Sequence, residues 1–435
     1  MKFSNQKISI ILIAFLVVIG LFFRSLGKSA GPLSKQTRSL LFESKAPGIP
    51  GSHLSSNADL NIEESIHSAA NYLIRLCDNE GRFTYRINTS PDVKVSRRYN
   101  MLRHAGTLYA LAAFALEYNN VRARETVLSG SRFLKQQLDD LSSDGQLLAV
   151  LSNPAINGGK DRLQAKLGGT GLGLVALCYA EKLHPRTTSI DTLRKMGNFI
   201  VTMQKEDGSF FSKYFPNGTG RDDSWTSLYY PGEAILGLLL LYELDQDPLW
   251  LEAAQNGLLF LADLRSKKTK VEADHWALIA TDKLFRINPT LADHIRKKIN
   301  RHAFQICFQI MNTKPVYEQD HPYHGCFSRD GRTTPTATRL EGLLAVFPYL
   351  SKNETSLSVD IKNSMGNSID FLMRSQLQSG LYTGGIPRAI SSLKEDHHSY
   401  SKSFNRRSTE IRIDYVQHAL SALMAFRMLV SKGIL

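Results

Sequence analysis

The chain has 435 residues, a formal net charge of +13 and an apolar content of 43%. That apolar share is ordinary for a globular protein and excludes a disordered or fibrous chain. The basic excess carries no Lys- and Arg-rich block interleaved with aromatics, which argues against nucleic acid and suits an anionic polymer or lipid surface.

Lys2 and Lys7 precede an uncharged apolar run from Ile8 to Phe23, which Arg24 closes. Its length lies between a signal-peptide core and a full membrane span, and no good small-x-small cleavage site follows. Residues 1–28 are therefore expected to be an uncleaved signal anchor, with the N-terminus in the cytoplasm. Residues 29–57, rich in Ser, Gly, Pro and Lys, read as a flexible tether. Residues 58–435 are then a single domain, held in the periplasm or outside the cell.

In that domain two kinds of segment alternate. The first kind is conventionally amphipathic. It starts at about Asn61, where Asn61 and Glu64 suggest a capping box, and Ile62, Ile66, Ala69, Leu73 and Leu76 form one stripe. Similar segments fall at about 123–138, 189–204, 247–264, 290–311 and 358–376. The second kind opens on a small polar cluster and then runs apolar at helical spacing. Its starts are marked by His104, Gly169, Gly232, His275, Glu341 and His418. Asp144-Gly145, Asp207-Gly208 and Ser379-Gly380 link one kind to the other, with glycine supplying a left-handed residue. Twelve helices in six pairs predict an all-α, closed (α/α)6 toroid, with strand content limited to short pieces such as 210–215. Each hairpin needs its neighbours to bury its apolar face. The polar starts of the inner helices would line a cup.

The run from Phe199 to Phe210, which contains Gln204, Asp207, Gly208 and Ser209, resembles the "Q…DGSW" repeat of terpenoid cyclases and related α/α toroids. Six-hairpin glycosidases and polysaccharide lyases share a similar link. The resemblance implies a toroid over roughly residues 60–430 and leaves its chemistry open, because one fold hosts many activities. Departures exclude some branches. Gly220-Arg221-Asp222-Asp223 lacks the first Asp of the Asp-x-Asp-Asp proton donor of class II terpene cyclases. None of Cys77, Cys178, Cys307 and Cys326 stands where prenyltransferases hold zinc. The carbohydrate-active branch remains.

Chemistry is densest between Arg221 and Glu233, a segment that supplies Asp223, Trp225, Tyr230 and Glu233. Carboxylates can bind hydroxyls or transfer protons, while aromatic faces stack on sugars. Glu233 and Asp223 are the candidate acid/base pair of a glycosidase. Asp274 and His275, followed by Trp276, open the fourth inner helix, and His104 opens the first. A His in such a cup can be a general base. Arg103 and Arg339 are candidate anion ligands, Trp225, Tyr230 and Trp276 stacking platforms, and Glu341 and His418 complete the ring. No metal or cofactor is expected: the spacing of His321, Tyr323 and His324 matches no metal site, and no phosphate-binding glycine loop occurs. The expectation is thus a membrane-tethered enzyme acting on an anionic polysaccharide, with hydrolysis first. Lyase or uronyl epimerase chemistry would move the weight to His104, His275 and Tyr230. A non-catalytic glycan-binding protein of envelope polysaccharide biosynthesis is the alternative from another class.

Overall fold

The structure is a computed structural model. It describes residues 61–435 apart from 97, 159–161 and 351–355. The expected anchor and tether lie outside the described residues. Among the described residues no helix is long and apolar enough to cross a membrane.

Six outer helices are α1 (Ile62–Leu76), α3 (Val121–Lys135), α6 (Ile190–Thr202), α8 (Pro248–Ser266), α10 (Asp293–Asn312) and α12 (Ser356–Ser375). Six inner helices are α2 (Met101–Tyr118), α5 (Leu167–Leu183), α7 (Tyr230–Asp245), α9 (His275–Ile287), α11 (Thr333–Leu350) and α14 (Ile413–Ser431). Two short helices, α4 (Pro154–Asn157) and α13 (Lys402–Ser408), sit in the links. Outer helices α1, α3 and α6 begin on side-chain caps: Asn61 accepts from the Glu63 amide, Asn120 from Ala123 and Ser189 from Thr192. Each inner helix packs on the next in the order α2, α5, α7, α9, α11, α14, and α14 returns to α2. The ring is closed, as the alternation of segments predicts.

Two features of the inner ring follow from glycine. At Gly232 on α7 a Cβ would lie 2.7 Å from the Ala277 nitrogen of α9, and at Gly342 on α11 it would lie 3.0 Å from the His275 Cα. A bare backbone at these points lets three inner helices approach more closely than side chains allow. The link glycines Gly81, Gly145, Gly208 and Gly380 all have positive φ, from 74° to 87°, as the Asp-Gly pattern requires.

The all-α expectation needs one correction. Short strands β2 (Leu138–Asp140), β3 (Leu148–Ser152), β4 (Gln164–Lys166), β5 (Lys213–Phe215) and β6 (Gly220–Asp222) form a five-stranded antiparallel sheet in chain order. It is built from the links that lead into α5 and α7. A second pair joins β1 (Arg86–Asn88) to β7 (Glu410–Arg412), so the first and last inner-helix approaches are hydrogen-bonded to each other. All four cysteines are free thiols, three of them buried.

Candidate active site at the inner-helix starts

Helix α9 begins with a division of labour between adjacent residues. Asp274 caps the helix, accepting from the Ala277 amide at 3.1 Å, and its other oxygen accepts from Arg265 of α8 at 2.8 Å. Arg265 also lies 3.2 Å from His302 of α10. Asp274 and Arg265 are both buried, so this pair ties an inner helix to the outer layer. Asp274, a catalytic candidate from sequence, has both oxygens committed, one to the helix cap and one to Arg265.

His275, the next residue, turns the other way. It is 2% exposed, and neither ring nitrogen has a hydrogen-bond partner. Its ring is edge-on to His418 of α14, at 5.4 Å between centroids, and to Tyr229, at 5.1 Å. His418 Nδ1 lies 2.7 Å from Glu341 Oε2 of α11. Trp276 is buried beside both histidines, with its ring centroid 5.0 Å from that of His275 and 6.2 Å from that of His418. Three inner helices thus bring His275, Glu341 and His418 to one point. Burial and the neighbouring His418 push the His275 pKa well below its usual value, so its imidazole is neutral. Burial raises Glu341 against the opposing pull of His418.

Glu233 lies in the first turn of α7. It is 3% exposed, and its Oε2 has no partner. That oxygen rests against Gly168 of α5, where a Cβ would come within 1.9 Å of it. Burial first, and Asp274 second, raise its pKa well above the usual carboxylate value, although Arg103 opposes this. Burial thus favours the protonated form of Glu233. Tyr230 packs against the same glycine.

Arg103 on α2 bonds Asp414 of α14 at 3.0 Å and the Tyr85 hydroxyl at 2.6 Å. Asp414 is bonded by Arg412 as well. Burial would raise the Asp414 pKa, but Arg103 and Arg412 outweigh it and hold Asp414 ionised. Arg339 on α11 donates to the Phe327 carbonyl at 2.8 Å and has no carboxylate partner among the described residues.

The remaining candidates divide. Trp225 is 46% exposed at the rim, 5.7 Å from Tyr230, with the Lys213 ammonium 4.9 Å above its ring. Asp223 is a rim residue too: its side chain is 56% exposed and paired with Lys205. An exposed carboxylate already paired with a lysine does not offer the free second carboxylate of a glycosidase. His104 is a second correction. It is fully buried, with Nδ1 2.8 Å from the Tyr99 hydroxyl and Nε2 3.0 Å from the Gly130 carbonyl of outer helix α3. Both ring nitrogens are engaged, so His104 ties α2 to α3 and has no free nitrogen for a substrate. Tyr229 was missed; the signal was its place in the aromatic segment, which sequence alone did not separate from Tyr230.

The His275, Glu341 and His418 ligand atoms all lie within 4.8 Å of one another, which makes them the group among the described residues able to hold a metal ion. His321 and His324 do not form one: His321 Nδ1 accepts from the Tyr323 amide and His324 Nδ1 contacts the Tyr317 carbonyl.

No protein-family model and no curated sequence matches the chain. Solved structures do match in fold. A D-mannose isomerase superposes with a TM-score of 0.59 at 12% identity, over 86% of this chain and 100% of the other. A cellobiose 2-epimerase from Bacillus thermoamylovorans gives 0.58 at 11% identity, over 84% and 99%. A GH76 α-mannanase of Bacteroides thetaiotaomicron gives 0.54 at 11% identity, over 85% and 97%. The chain has the six-hairpin α/α-toroid fold that these carbohydrate-active proteins share.

Proposed function

We propose that the chain is a carbohydrate isomerase or epimerase that works by proton transfer between His275 and His418. One observation carries this reading: a buried imidazole with two unpartnered nitrogens faces a second imidazole that a carboxylate orients. Abstraction of a proton next to a sugar carbonyl needs a neutral base, and its return needs an acid placed across the carbon. His275, held neutral, takes the proton from C2 of an open-chain sugar. The C–H electron pair forms the C1–C2 double bond of an enediol, and the carbonyl π pair moves to the oxygen, which takes a proton from water; when carbon is reprotonated the hydroxyl that becomes the new carbonyl returns its proton to water. His418, oriented by Glu341, returns a proton to C2 from the other face, which gives the epimer, or to C1, which gives the ketose. Trp225 offers a stacking face at the rim, and the half-buried Arg339 offers an unpaired guanidinium to a sugar oxygen or carboxylate. Tyr229 has to swing aside for the sugar to reach His275. That a D-mannose isomerase and a cellobiose 2-epimerase share the fold supports this class.

Hydrolysis, the reaction expected first from sequence, is the second reading. The neutral, unpartnered Glu233 suits a general acid, and a GH76 α-mannanase shares the fold. It needs a second free carboxylate. Asp274, Asp414 and Glu341 are each bonded to a cationic or imidazole partner. The deciding experiment incubates the purified chain with aldoses, reducing disaccharides and uronate oligomers in deuterium oxide. Deuterium at the carbon next to the carbonyl supports proton transfer. New reducing ends without deuterium support hydrolysis and reject the histidine mechanism. An uptake of ultraviolet absorbance from unsaturated uronate would indicate a lyase.

The net charge of +13 and Arg339 support an anionic substrate within this class. Tethering through the apolar run of residues 8–23, with the domain outside the cytoplasm, is part of the same proposal. A chain starting near residue 58 should stay soluble under carbonate extraction, whereas the full chain should sediment with membranes.

A further inference from the structure

The His275–Glu341–His418 cluster has the donor set of an open metal site. Two imidazole nitrogens and one carboxylate oxygen come from three different inner helices and lie within 4.8 Å of one another. His275 and Glu341 are nearly inaccessible, at 2% and 4% exposure. Neither His275 nitrogen has a hydrogen-bond partner, which is unusual for so buried an imidazole, and one of them lies within 4.8 Å of the Glu341 and His418 ligand atoms. Such a nitrogen is costly in an apolar setting unless a partner arrives. We propose that His275, Glu341 and His418 form a three-ligand site for a divalent transition ion of the zinc class, taken up in competition with the sugar.

The chemistry selects the ion. Imidazole with one carboxylate suits zinc, cobalt or nickel, whereas magnesium and calcium want a shell of oxygens. Zinc–nitrogen and zinc–oxygen bonds of about 2.0–2.2 Å need the donors to close on the ion by small side-chain rotations. Three protein ligands would leave a fourth position for water or a sugar oxygen. His418 Nδ1 and Glu341 Oε2 lie 2.7 Å apart, and an ion held by both would take the place of that hydrogen bond. The ion also occupies the lone pair that His275 would use as a base. The inhibition therefore rests on the proton-transfer reading, while the binding does not.

The test uses the full chain, stripped with a chelator and titrated with cobalt(II) as a coloured zinc substitute. The expected result is one ion per chain, visible d–d absorption, and an X-ray absorption spectrum that counts two imidazoles. The wild-type spectrum needs no variant, so it decides even where a substitution prevents folding. His275→Gln and Glu341→Gln should each weaken binding by more than the roughly 10- to 100-fold that loss of an outer-shell partner costs. Absence of saturable binding, or binding unchanged in both folded variants, overturns the site. Zinc should suppress sugar turnover and a chelator should restore it. If zinc instead raises turnover, the metal site stands and the histidine proton transfer falls.

Discussion

At the scale of single residues, neighbours in sequence have opposite duties. Asp274 points out to Arg265 and His275 points in to His418. His275→Gln should lower turnover by roughly 10²–10⁴-fold with little change in thermal midpoint, as expected for loss of an acid–base group. Asp274→Ala should do the reverse. It leaves the Arg265 guanidinium buried without its carboxylate, which costs about 3–5 kcal/mol. Thermal melts set beside sugar turnover separate the two, and an Asp274→Ala variant with wild-type stability would reject the structural role. His104 makes a pH prediction. Burial, partly opposed by the Gly130 carbonyl bond and Asp78, lowers its pKa from 6.5 to about 4. A histidine depressed in the fold contributes stability above the unfolded value, and that stability is lost as pH falls from 6.5 towards 4. The slope is about 1.4 kcal/mol per pH unit for this one group. Denaturant midpoints measured between pH 7 and 4 should therefore fall less steeply in His104→Asn than in the wild type.

At the scale of elements, the inner helices depend on missing side chains. Gly232→Ala puts a Cβ 2.7 Å from the Ala277 nitrogen, against backbone that cannot rotate away. The expected loss is about 1–3 kcal/mol by overpacking, read from denaturant unfolding. Displacement of α7 from α9 would also move Glu233 and Tyr229, so turnover should fall with stability. The twelve toroid helices were legible because outer stripes and inner apolar runs carry a clear period. Their caps were legible where Asn, Ser or Asp precede them. The fifth inner helix, whose start was marked by Glu341, begins earlier, at Thr333, with Pro335 inside its first turn. The strands β2, β4 and β6 were not legible, because three residues each carry no usable alternation, whereas β5 falls within the extended piece expected at 210–215. Periodicity also says where an inner helix begins but not which way its first polar side chains turn. That is why His104 and Asp274 were grouped with His275 and His418, although the former pair face the outer layer.

At the scale of the whole molecule, the cluster at the inner-helix starts exists only because the ring closes. Arg103 comes from the first inner helix and Asp414 and His418 from the last, and Arg103 joins Asp414 across that junction at 3.0 Å. The junction is also held by the β1–β7 pairing, by Gln376 donating to the Ser65 carbonyl at 2.9 Å, and by Arg75 donating to the Thr383 carbonyl at 2.7 Å. Removal of α14 should therefore abolish the cooperative unfolding transition, as well as turnover, rather than leave a stable ring of five hairpins. Retention of a sharp calorimetric transition by that truncated chain would contradict this.

Near its C-terminal end α14 carries Arg427, which meets Glu63, in the first turn of α1, at 2.5 Å. The last toroid helix thus finishes beside the start of the first. A circle of this kind has a first hairpin only in the order of translation. A short linker from α14 to α1, with the chain reopened at the exposed Asp144–Gly145 turn, would give a permuted protein whose inner helices meet in the same cyclic order. Such a permutant would let the cup be built from a chain in which His275, Glu341, His418 and Arg103 follow one another without the original break between the last two.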